Sequence, residues 1–191
     1  YKEIPGLSYT ANAITPALSD KLVTFINSQP WQTSLKRQVQ QYGTHYSYAT
    51  KSLGETTEIP AILLSLAEML RLPTPENIII NKYEPGEGIA PHTDSTLFGD
   101  TIASLSLLSG IPMDLQSGNN YHIIYLEPNS LLKLSGHARY HWTHGIAARK
   151  SDIYNGKKQI RSTRISITFR TLTASKYVKR VQQEDDSEWT A

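Results

Sequence analysis

The chain has 191 residues, of which 39% are hydrophobic and 19% charged, a balance that fits one globular domain and excludes a disordered or fibrous protein. The absence of cysteine excludes thiol catalysis and cysteine-bound zinc or iron–sulfur sites. No apolar stretch approaches the ~20 residues that a membrane-spanning helix needs, and the first residues carry no signal sequence. We therefore expect a monomeric intracellular protein of the cytoplasm or nucleus that does not associate with membranes.

The charges are distributed unevenly along the chain. Residues 1–127 contain seven Lys and Arg against twelve Asp and Glu, whereas residues 128–183 contain twelve basic residues and a single acid. Four acids follow in residues 184–191, which we expect to form a disordered tail. The basic segment favours a surface for a polyanion such as nucleic acid. The alternative is that its residues are spread over strand edges, where lysine discourages aggregation.

Two helices are predicted in the first part of the chain. Residues 15–29 begin with a capping threonine and a proline and carry an apolar stripe, and residues 59–73 form an apolar run bounded by prolines. Residues 31–57, between them, are polar and aromatic without clear periodicity. Such a stretch is typical of a lid that recognises a substrate, and the alternative is a surface hairpin whose tyrosines pack on the helices.

The pattern changes at residue 77 to short β-rich runs separated by turn residues. Eight strands are predicted, at 77–83, 88–94, 101–108, 111–116, 121–127, 130–135, 139–146 and 163–170. Eight strands after two helices predict a mainly β protein of the α+β class, a double-sheet jelly roll (double-stranded β-helix) with helices packed outside. The expected organisation is one domain over 1–183, with helices and lid in 1–76 and the jelly-roll core in 77–172.

The sequence GIAPHTD, residues 88–94, contains a candidate pair of metal ligands. Residues two positions apart in a strand point to the same face, so His92 and Asp94 project together. Two histidines and one carboxylate, with the remaining positions open, form the arrangement of non-haem Fe(II) oxygenases. The pair alone is a weak indication, because most His-x-Asp sequences lie on protein surfaces.

A third ligand has to come from one of the other five histidines: His45, His122, His137, His141 and His144. His45 lies in the lid and His137 in a turn, so strand pairing would hold neither of them. His122 starts a strand, where a histidine is typically satisfied or exposed. His141 and His144 share the run 139–146, but their separation of three places them on opposite faces. Gly145 leaves room beside His144 and favours it modestly, and the spacing alone leaves both open.

The last predicted strand, RISITFR, has an arginine at each end. An open Fe(II) site needs an electron source for O2, and the distal carboxylate of 2-oxoglutarate suits the planar fork of an arginine. Burying an unpaired arginine is costly, so the alternative is that Arg164 and Arg170 lie in water at the strand ends. Six residues of strand span about 20 Å, so both cannot bind one carboxylate unless the strand curves.

NKYEPGEGIAPHTD, WTHGI and RISITFR together resemble the Fe(II)/2-oxoglutarate-dependent AlkB dioxygenases, over about residues 77–172. The resemblance implies that the iron ligands are His92, Asp94 and His144. It implies that Arg164 pairs with the distal carboxylate of 2-oxoglutarate, with help from Tyr83. It also implies that Asn81 contacts the co-substrate and that Arg170 lies near its C1 end.

Within the family, PHTDSTLFGDTIASLSLLSGIPMDL and RYHWTHGI are most similar to the branch that contains the tRNA wobble-uridine hydroxylase of animals. Bacterial repair members carry a second acidic residue two positions after the aspartate ligand, where this chain has Thr96. Their base preference therefore does not transfer directly to this chain.

The resemblance implies an enzyme that uses Fe(II), with 2-oxoglutarate and O2 as co-substrates, and releases succinate and CO2. The leading hypothesis is the oxidative demethylation of alkylated bases in DNA or RNA, with release of formaldehyde, in DNA repair or RNA modification. The alternatives are hydroxylation of a modified tRNA wobble uridine, a protein or small-molecule hydroxylase on the same iron core, and a non-catalytic jelly-roll binding module.

A nucleobase must leave its stack to reach a buried iron, so an aromatic side chain of the lid should receive it. The candidates are Tyr42, Tyr46 and Tyr48. The phosphates would be held by basic side chains. The candidates for this role are Lys36, Arg37, Lys51, Arg149, Lys150, Lys157, Lys158 and Arg161.

Overall fold

Two antiparallel β-sheets face each other, and helices cover the outer side of the larger one. The structure is a computed structural model that describes residues 4–33, 37–47, 49–154 and 156–173. Its elements are β1 (Leu7–Thr10), α1 (Pro16–Ser28), β2 (Gln38–Ser47), β3 (Ser52–Thr57), α2 (Ala61–Met69), β4 (Asn77–Tyr83), β5 (Ile89–His92), β6 (Phe98–Leu108), β7 (Ile111–Ser117), β8 (Asn120–Leu126), β9 (Leu131–Ser135), α3 (Gly136–His141), β10 (Thr143–Ile146), β11 (Ser151–Tyr154), β12 (Lys157–Ile160) and β13 (Arg164–Leu172).

The larger sheet has seven strands in the order β1-β9-β6-β13-β4-β2-β3, and the smaller sheet has four in the order β5-β10-β7-β8. Strands β11 and β12 form a separate hairpin. Every pairing among these strands is antiparallel. The predicted double-sheet jelly roll with outer helices is confirmed. Within the described ranges, none of the helices is both long and apolar enough to cross a lipid bilayer.

The central strand β13 is buried on both faces, and its alternation separates an apolar side from a polar one. Ile165, Ile167 and Phe169 pack with leucines of α1 and α2 in the core under the helices. Arg164 and Arg170 point the other way, into the space between the two sheets, as the period of two requires. The sequence alternation in RISITFR therefore directs both arginines towards the interior.

A second apolar core lies between the two sheets. Met113 and Leu115 of the smaller sheet pack there against Leu132 and Leu134 of the larger one. This core fills only part of the space, and the rest is lined by polar side chains of β4, β6 and β13. The sheets thus hold a polar cavity whose floor is apolar.

The two predicted N-terminal helices are present with adjusted ends. The Oγ1 atom of Thr15 accepts a hydrogen bond from the Leu18 amide (3.3 Å), as expected for the predicted cap. Helix α2 ends at Met69, earlier than residue 73, because Arg71 adopts a left-handed conformation (φ 53°). The Leu72 amide then donates to the Ala67 carbonyl (2.9 Å), which closes the helix with a Schellman-type bond.

The predicted lid, residues 31–57, is mostly a β-hairpin of β2 and β3 that extends the larger sheet beside β4. Most of this stretch is therefore paired strand, as in the alternative of a hairpin, and not an irregular loop. Its periodicity is hidden for two reasons. Polar side chains are satisfied by distant groups, as when Gln40 Nε2 donates to the Ile26 carbonyl (2.9 Å). The left-handed conformation of Gly43 (φ 73°) and a register shift between Thr44 and Tyr46 also interrupt the regular alternation of the hairpin.

The prediction of a strand over 139–146 is wrong in its first half. Residues Gly136–His141 form the short helix α3, and only Thr143–Ile146 are β-strand. A helix of six residues is too short to show a helical period in the sequence. The aromatic and β-branched residues of 139–146 therefore favour a strand. Strands β1, β11 and β12 were not predicted, because each has only four residues and the last is exposed throughout.

Candidate metal centre and co-substrate cavity

Three potential metal ligands meet at the open end of the smaller sheet. His92 is the last residue of β5, and Asp94 follows two positions later. His144 lies on β10, directly opposite His92 in the strand register. One ligand atom from each of the three residues lies within 4.8 Å of the others. No other group of this kind occurs among the described residues.

The atoms that face the centre of this group are free to bind a metal. The Nδ1 atom of His92 contacts the Ala90 carbonyl oxygen (2.8 Å), which places the proton on Nδ1 and leaves Nε2 as a lone-pair donor. Asp94 Oδ2 is buried, accepts no hydrogen bond within the described structure, and lies 3.4 Å from His144 Nε2. Two imidazoles and one carboxylate suit a divalent transition metal.

The protonation states of the buried pair also suit a metal. Burial lowers the pKa of His144 to about 4, so its imidazole is neutral at neutral pH. Burial by itself raises the pKa of Asp94, but the positive charge of Arg170 and smaller contributions from the neighbouring histidines outweigh it, and the net pKa is below the usual value. A neutral imidazole and an ionised carboxylate are the forms in which these side chains bind metals.

The other histidines lie elsewhere. His141 is exposed on α3, where its ring stacks on that of His137 (centroids 4.8 Å apart). His45 contacts Thr57 Oγ1 (3.0 Å) in the β2–β3 hairpin, and His122 packs beside Trp142. The spacing of the sequence left His141 and His144 open. The geometry brings only His144 to the pair, because β10 begins after α3 has ended.

Arg170 is bound to the metal-ligand group. Its Nη2 atom donates to Asp94 Oδ1 (2.5 Å), and its guanidinium carbon lies 4.4 Å from the centroid of the Phe98 ring. A charge-assisted bond of this kind fixes the carboxylate and leaves Oδ2 directed towards the histidines. Arg170 therefore lies at the metal end of the cavity.

Arg139 belongs to the same centre, although its sequence context gave no indication of it. This residue of α3 is 2% exposed, and its Nη1 and Nη2 atoms donate to the carbonyl oxygens of Asp94 (2.9 Å) and Ser95 (2.7 Å). The run 139–146 was interpreted as a strand, and the partners of Arg139 lie more than forty residues earlier. No local pattern in the sequence connects the two segments.

Arg164 lies at the other end of the cavity. Its side chain is 1% exposed and donates from Nη2 to Ser106 Oγ (2.8 Å), while Nε has no hydrogen-bond partner within the described structure. Burial lowers its pKa to about 10, so it still carries a positive charge at neutral pH. A buried cation with an unused donor beside a cavity fits an anionic ligand.

Asn81 and Tyr83, on β4, form the wall between the two ends. Both side chains are buried and face the cavity. The Tyr83 ring centroid lies 5.5 Å from the guanidinium carbon of Arg164, and Asn81 Oδ1 accepts a hydrogen bond from Arg37 Nε (2.8 Å). The four residues expected to contact 2-oxoglutarate thus line one cavity. Arg164 and Arg170 lie at opposite ends of it, in agreement with the argument that one carboxylate cannot bind both.

A family profile described as the 2OG-Fe(II) oxygenase superfamily matches residues 20–170. The tRNA (carboxymethyluridine(34)-5-O)-methyltransferase alkbh8 of Xenopus tropicalis is 34% identical over 97% of this chain. The chain is an AlkB-family 2OG-Fe(II) oxygenase. The Alkylated DNA repair protein ALKBH8 homolog of Arabidopsis thaliana is 31% identical over 87% of the chain. The chain spans 35% of the length of the first relative and 58% of the second.

The structure of OsALKBH1 agrees with the AlkB fold, with a TM-score of 0.68 and 18% sequence identity over 87% of this chain and 97% of that one. An AlkB-family oxygenase uses Fe(II), O2 and 2-oxoglutarate, and is thus a 2-oxoglutarate-dependent dioxygenase, as predicted. The residues present fit these groups, because a free carboxylate oxygen and two imidazoles meet at one end of the cavity and a buried cation lies at the other.

Of the lid tyrosines predicted to contact a base, Tyr46 borders the metal centre of the AlkB-family chain. It lines a groove beside His92 and Asp94, and its ring packs on that of Phe98 (centroids 5.3 Å apart). Tyr42 lies on the opposite face of the sheet, packs towards the helices and donates to Gln40 Oε1 (3.2 Å). Two of the predicted substrate residues lie outside the described ranges: Lys36 and Tyr48.

Among the basic candidates, Arg161 is a structural residue and its prediction as a phosphate contact is wrong. It is 7% exposed and donates from Nε and Nη2 to the two carboxylate oxygens of Asp152 (2.5 and 2.8 Å) and from Nη1 to the Ala147 carbonyl (2.7 Å). Arg37 is half-buried at the cavity. The exposed basic candidates are Lys51, Arg149, Lys150, Lys157 and Lys158.

Proposed function

We propose that this AlkB-family chain oxidises alkylated nucleobases in DNA or RNA and thereby removes N-alkyl groups. The observation that carries the proposal is the groove beside the triad. One wall of the groove carries the packed rings of Tyr46 and Phe98, and Lys51 and Arg37 supply positive charge at its margin. Aromatic rings with adjacent cations suit a base and its phosphates.

We infer that Fe(II) is held by His92, Asp94 and His144. The bound iron, together with O2 and 2-oxoglutarate, supplies the oxidising chemistry that hydroxylates a substrate C–H bond with release of succinate and CO2. If that carbon is an N-methyl group, the hydroxymethyl product loses formaldehyde and the base is restored. If it belongs to a side-chain methylene, the hydroxyl group remains.

The chain contributes position and charge to this reaction. We assign the distal carboxylate of 2-oxoglutarate to Arg164, whose unused Nε and buried charge suit it, with Tyr83 and Asn81 along the wall. Arg170 and Arg139 hold Asp94 through its carboxylate and its carbonyl. Apolar side chains on the cavity wall exclude water from the reacting atoms.

The substrate base must be extruded to reach the triad, because His144 and Asp94 are buried in the fold. We assign the stacking contact to Tyr46, since Tyr42 faces the helices. Lys51 lies on the same groove and is assigned to a phosphate. Further phosphates would be held by the exposed basic residues Arg149, Lys150, Lys157 and Lys158.

A second candidate is hydroxylation of a modified wobble uridine in tRNA. The Xenopus tropicalis relative, whose name specifies a tRNA carboxymethyluridine, favours it. The chain spans only about a third of that relative, so the activity in its name is not transferred directly. The two candidates differ in the product, because demethylation removes a carbon and hydroxylation retains one more oxygen.

The test is incubation of the chain with Fe(II), 2-oxoglutarate and separate pools of methylated DNA, methylated RNA and tRNA, followed by digestion and mass spectrometry of the nucleosides. Loss of a methyl group supports demethylation, and gain of one oxygen on a uridine supports the second candidate. Unchanged nucleosides in every pool would exclude both and leave a protein or small-molecule substrate.

Two variants test the assigned residues in this experiment. His92→Ala should abolish product formation, because it removes a proposed metal ligand. Tyr46→Ala should weaken the nucleic-acid reaction while leaving the metal site intact. Tyr121→Ala, which removes a 54% exposed tyrosine from β8 in the smaller sheet, is the matched control and should retain wild-type activity.

A further inference from the structure

Three side chains form a row across neighbouring strands of the larger sheet at the cavity. The register of β13 places Arg164 opposite Tyr83. The β2–β4 register pairs Gln38 with Lys82, and its extension by one residue places Arg37 on the other side of Tyr83. The guanidinium carbons of Arg164 and Arg37 lie 5.5 and 5.8 Å from the Tyr83 ring centroid. The tyrosine therefore has an arginine on each side.

The two arginines differ in their surroundings. Arg164 is fully buried, whereas Arg37 is half-buried and precedes β2. Arg37 and Ile89 line the inter-sheet cavity and also the two surface grooves next to it. One of these grooves contains Tyr46 together with His92 and Asp94, and the other lies along the segments 86–91 and 145–148. Arg37 thus stands where the cavity meets the outside.

A hydrogen bond to the cavity wall holds Arg37 in this place. Its Nε atom donates to Asn81 Oδ1 (2.8 Å), and the cation lies over the Tyr83 ring. Asn81 and Tyr83 are the wall residues assigned above to 2-oxoglutarate. A residue that only gathers phosphates would extend into solvent, but the Arg37 side chain turns inward onto this wall.

We propose that Arg37 is a gate of the co-substrate chamber: its guanidinium group, bound to Asn81 and resting on Tyr83, closes the chamber over 2-oxoglutarate and slows its release. The inference rests on the proposed site for 2-oxoglutarate. The ligand carries two carboxylates. Arg164 is assigned to one of them and Arg170 is already paired with Asp94, so the guanidinium of Arg37 also balances the second negative charge. For 2-oxoglutarate to dissociate, the Arg37 side chain must move away and lose both its hydrogen bond to Asn81 and its contact with the Tyr83 ring.

The gate can be tested without any nucleic acid. Under anaerobic conditions, the Fe(II)-loaded chain is mixed with 2-oxoglutarate, and the charge-transfer absorption of the complex reports association and, after dilution, dissociation. In Arg37→Gln the dissociation rate should rise about tenfold, the effect of losing one charge-assisted hydrogen bond, with a smaller change in the association rate. Arg37→Lys, which keeps the charge and one donor, should recover part of the loss.

Lys21→Met is the matched control, because it removes one exposed positive charge from α1 and should leave both rates within about twofold of wild type. Circular dichroism melting establishes whether each variant is folded. If Arg37→Gln does not fold, Arg37→Lys still tests the gate. Unchanged 2-oxoglutarate dissociation in the folded arginine variants overturns the gate. So does a fall in oligonucleotide affinity alone, which would make Arg37 a substrate contact.

The outcome also separates the gate from the proposed function on which it rests. If the wild-type chain gives no absorption band with Fe(II) and 2-oxoglutarate, the proposed metal and co-substrate site is wrong and the gate is overturned with it. If the band forms and the chain binds 2-oxoglutarate through Arg164, but the Arg37 variants release the ligand at the wild-type rate, only the gate is wrong.

Discussion

At the scale of single residues, the candidate site depends on buried arginines that have different tasks. Arg170 neutralises Asp94, Arg139 binds the carbonyl oxygens of Asp94 and Ser95, and Arg164 donates to Ser106 at the far end of the cavity. A buried cation is stable only when its charge and donors are satisfied. Asp94 balances the charge of Arg170, whereas no carboxylate of the described residues forms an ion pair with Arg164, so we assign the charge of Arg164 to a ligand.

Arg139→Met should lower metal affinity about ten- to hundredfold, because residues that orient a ligand typically contribute that much. The two carbonyls that Arg139 binds fix the backbone from which the Asp94 carboxylate projects. Isothermal titration with Mn(II) measures the affinity, and Arg139→Lys should lie between the variant and wild type. Metal affinity equal to wild type in a folded Arg139→Met chain would show that the contact only stabilises the fold.

Arg164→Met should raise the KM for 2-oxoglutarate about ten- to hundredfold, the cost of losing hydrogen bonds to a charged group. Metal binding should be unchanged, since Arg164 lies at the end of the cavity away from the triad. Succinate formation at varied 2-oxoglutarate concentration measures this. A weaker affinity for Mn(II) with a normal KM would assign Arg164 to the wrong end of the site.

The sequence predicts some of these residues and not others for a physical reason. His92, Arg164 and Arg170 lie in strands, where the period of two decides which way a side chain faces from its neighbours, and Asp94 follows His92 by two positions. Arg139 acquires its role from a helix too short to show a period and from partners that lie far away in the chain. The direction in which the His144 side chain points depends on where β10 begins, and the sequence does not show that α3 ends just before it.

At the scale of elements, a buried ion pair joins the β11–β12 hairpin to the segment that leads into β13, and Tyr154 of the hairpin also stacks on Tyr125 of β8. Arg161 precedes β13, and its bidentate bond to Asp152 of β11 is supplemented by the Ala147 carbonyl. Both side chains of the pair are almost fully buried. Removal of one partner leaves an uncompensated charge in the interior.

Arg161→Met should reduce the free energy of unfolding by about 3–5 kcal/mol, the usual cost of breaking a buried pair. The double variant with Asp152→Asn should lose much less than the sum of the two single variants, since the second change removes the stranded charge. Urea denaturation of all four chains gives this cycle. Additive losses, or a loss below about 1 kcal/mol in Arg161→Met, would contradict a coupled pair.

Elements with a repeated pattern were predictable, and those defined by distant contacts were not. β4 and β13 show their type in seven or more residues, and α1 carries its own cap. The β2–β3 hairpin satisfies polar residues such as Gln40 through distant groups and contains a register shift that interrupts its alternation, so its sequence resembles a loop. A short element such as β12 has no core of its own to impose a pattern.

At the scale of the whole molecule, the basic excess of residues 128–183 is only partly a surface property. Four of its arginines are buried inside the fold: Arg139, Arg161, Arg164 and Arg170. The exposed remainder includes Arg149, Lys150, Lys157 and Lys158, around the β11–β12 hairpin. Net charge in the sequence therefore overestimates the charge offered to a polyanion.

Replacement of both Lys157 and Lys158 by glutamine should weaken binding of a single-stranded oligonucleotide at low salt. Each phosphate contact contributes about 0.7 to the slope of log affinity against log salt on single strands, so the slope should fall by up to about 1.4. Fluorescence anisotropy across a salt series measures it. An unchanged slope would remove the hairpin from the nucleic-acid surface, and 2-oxoglutarate affinity should be the same in both chains.

The measurement that tests the central claim most directly is the ratio of succinate formed to nucleobase oxidised, determined in one reaction with alkylated DNA or RNA. The claim predicts that the oligonucleotide stimulates succinate formation and that about one base is oxidised per succinate, with both products lost in His144→Ala. Succinate formation that no nucleic acid stimulates, with every nucleoside unchanged, would contradict it.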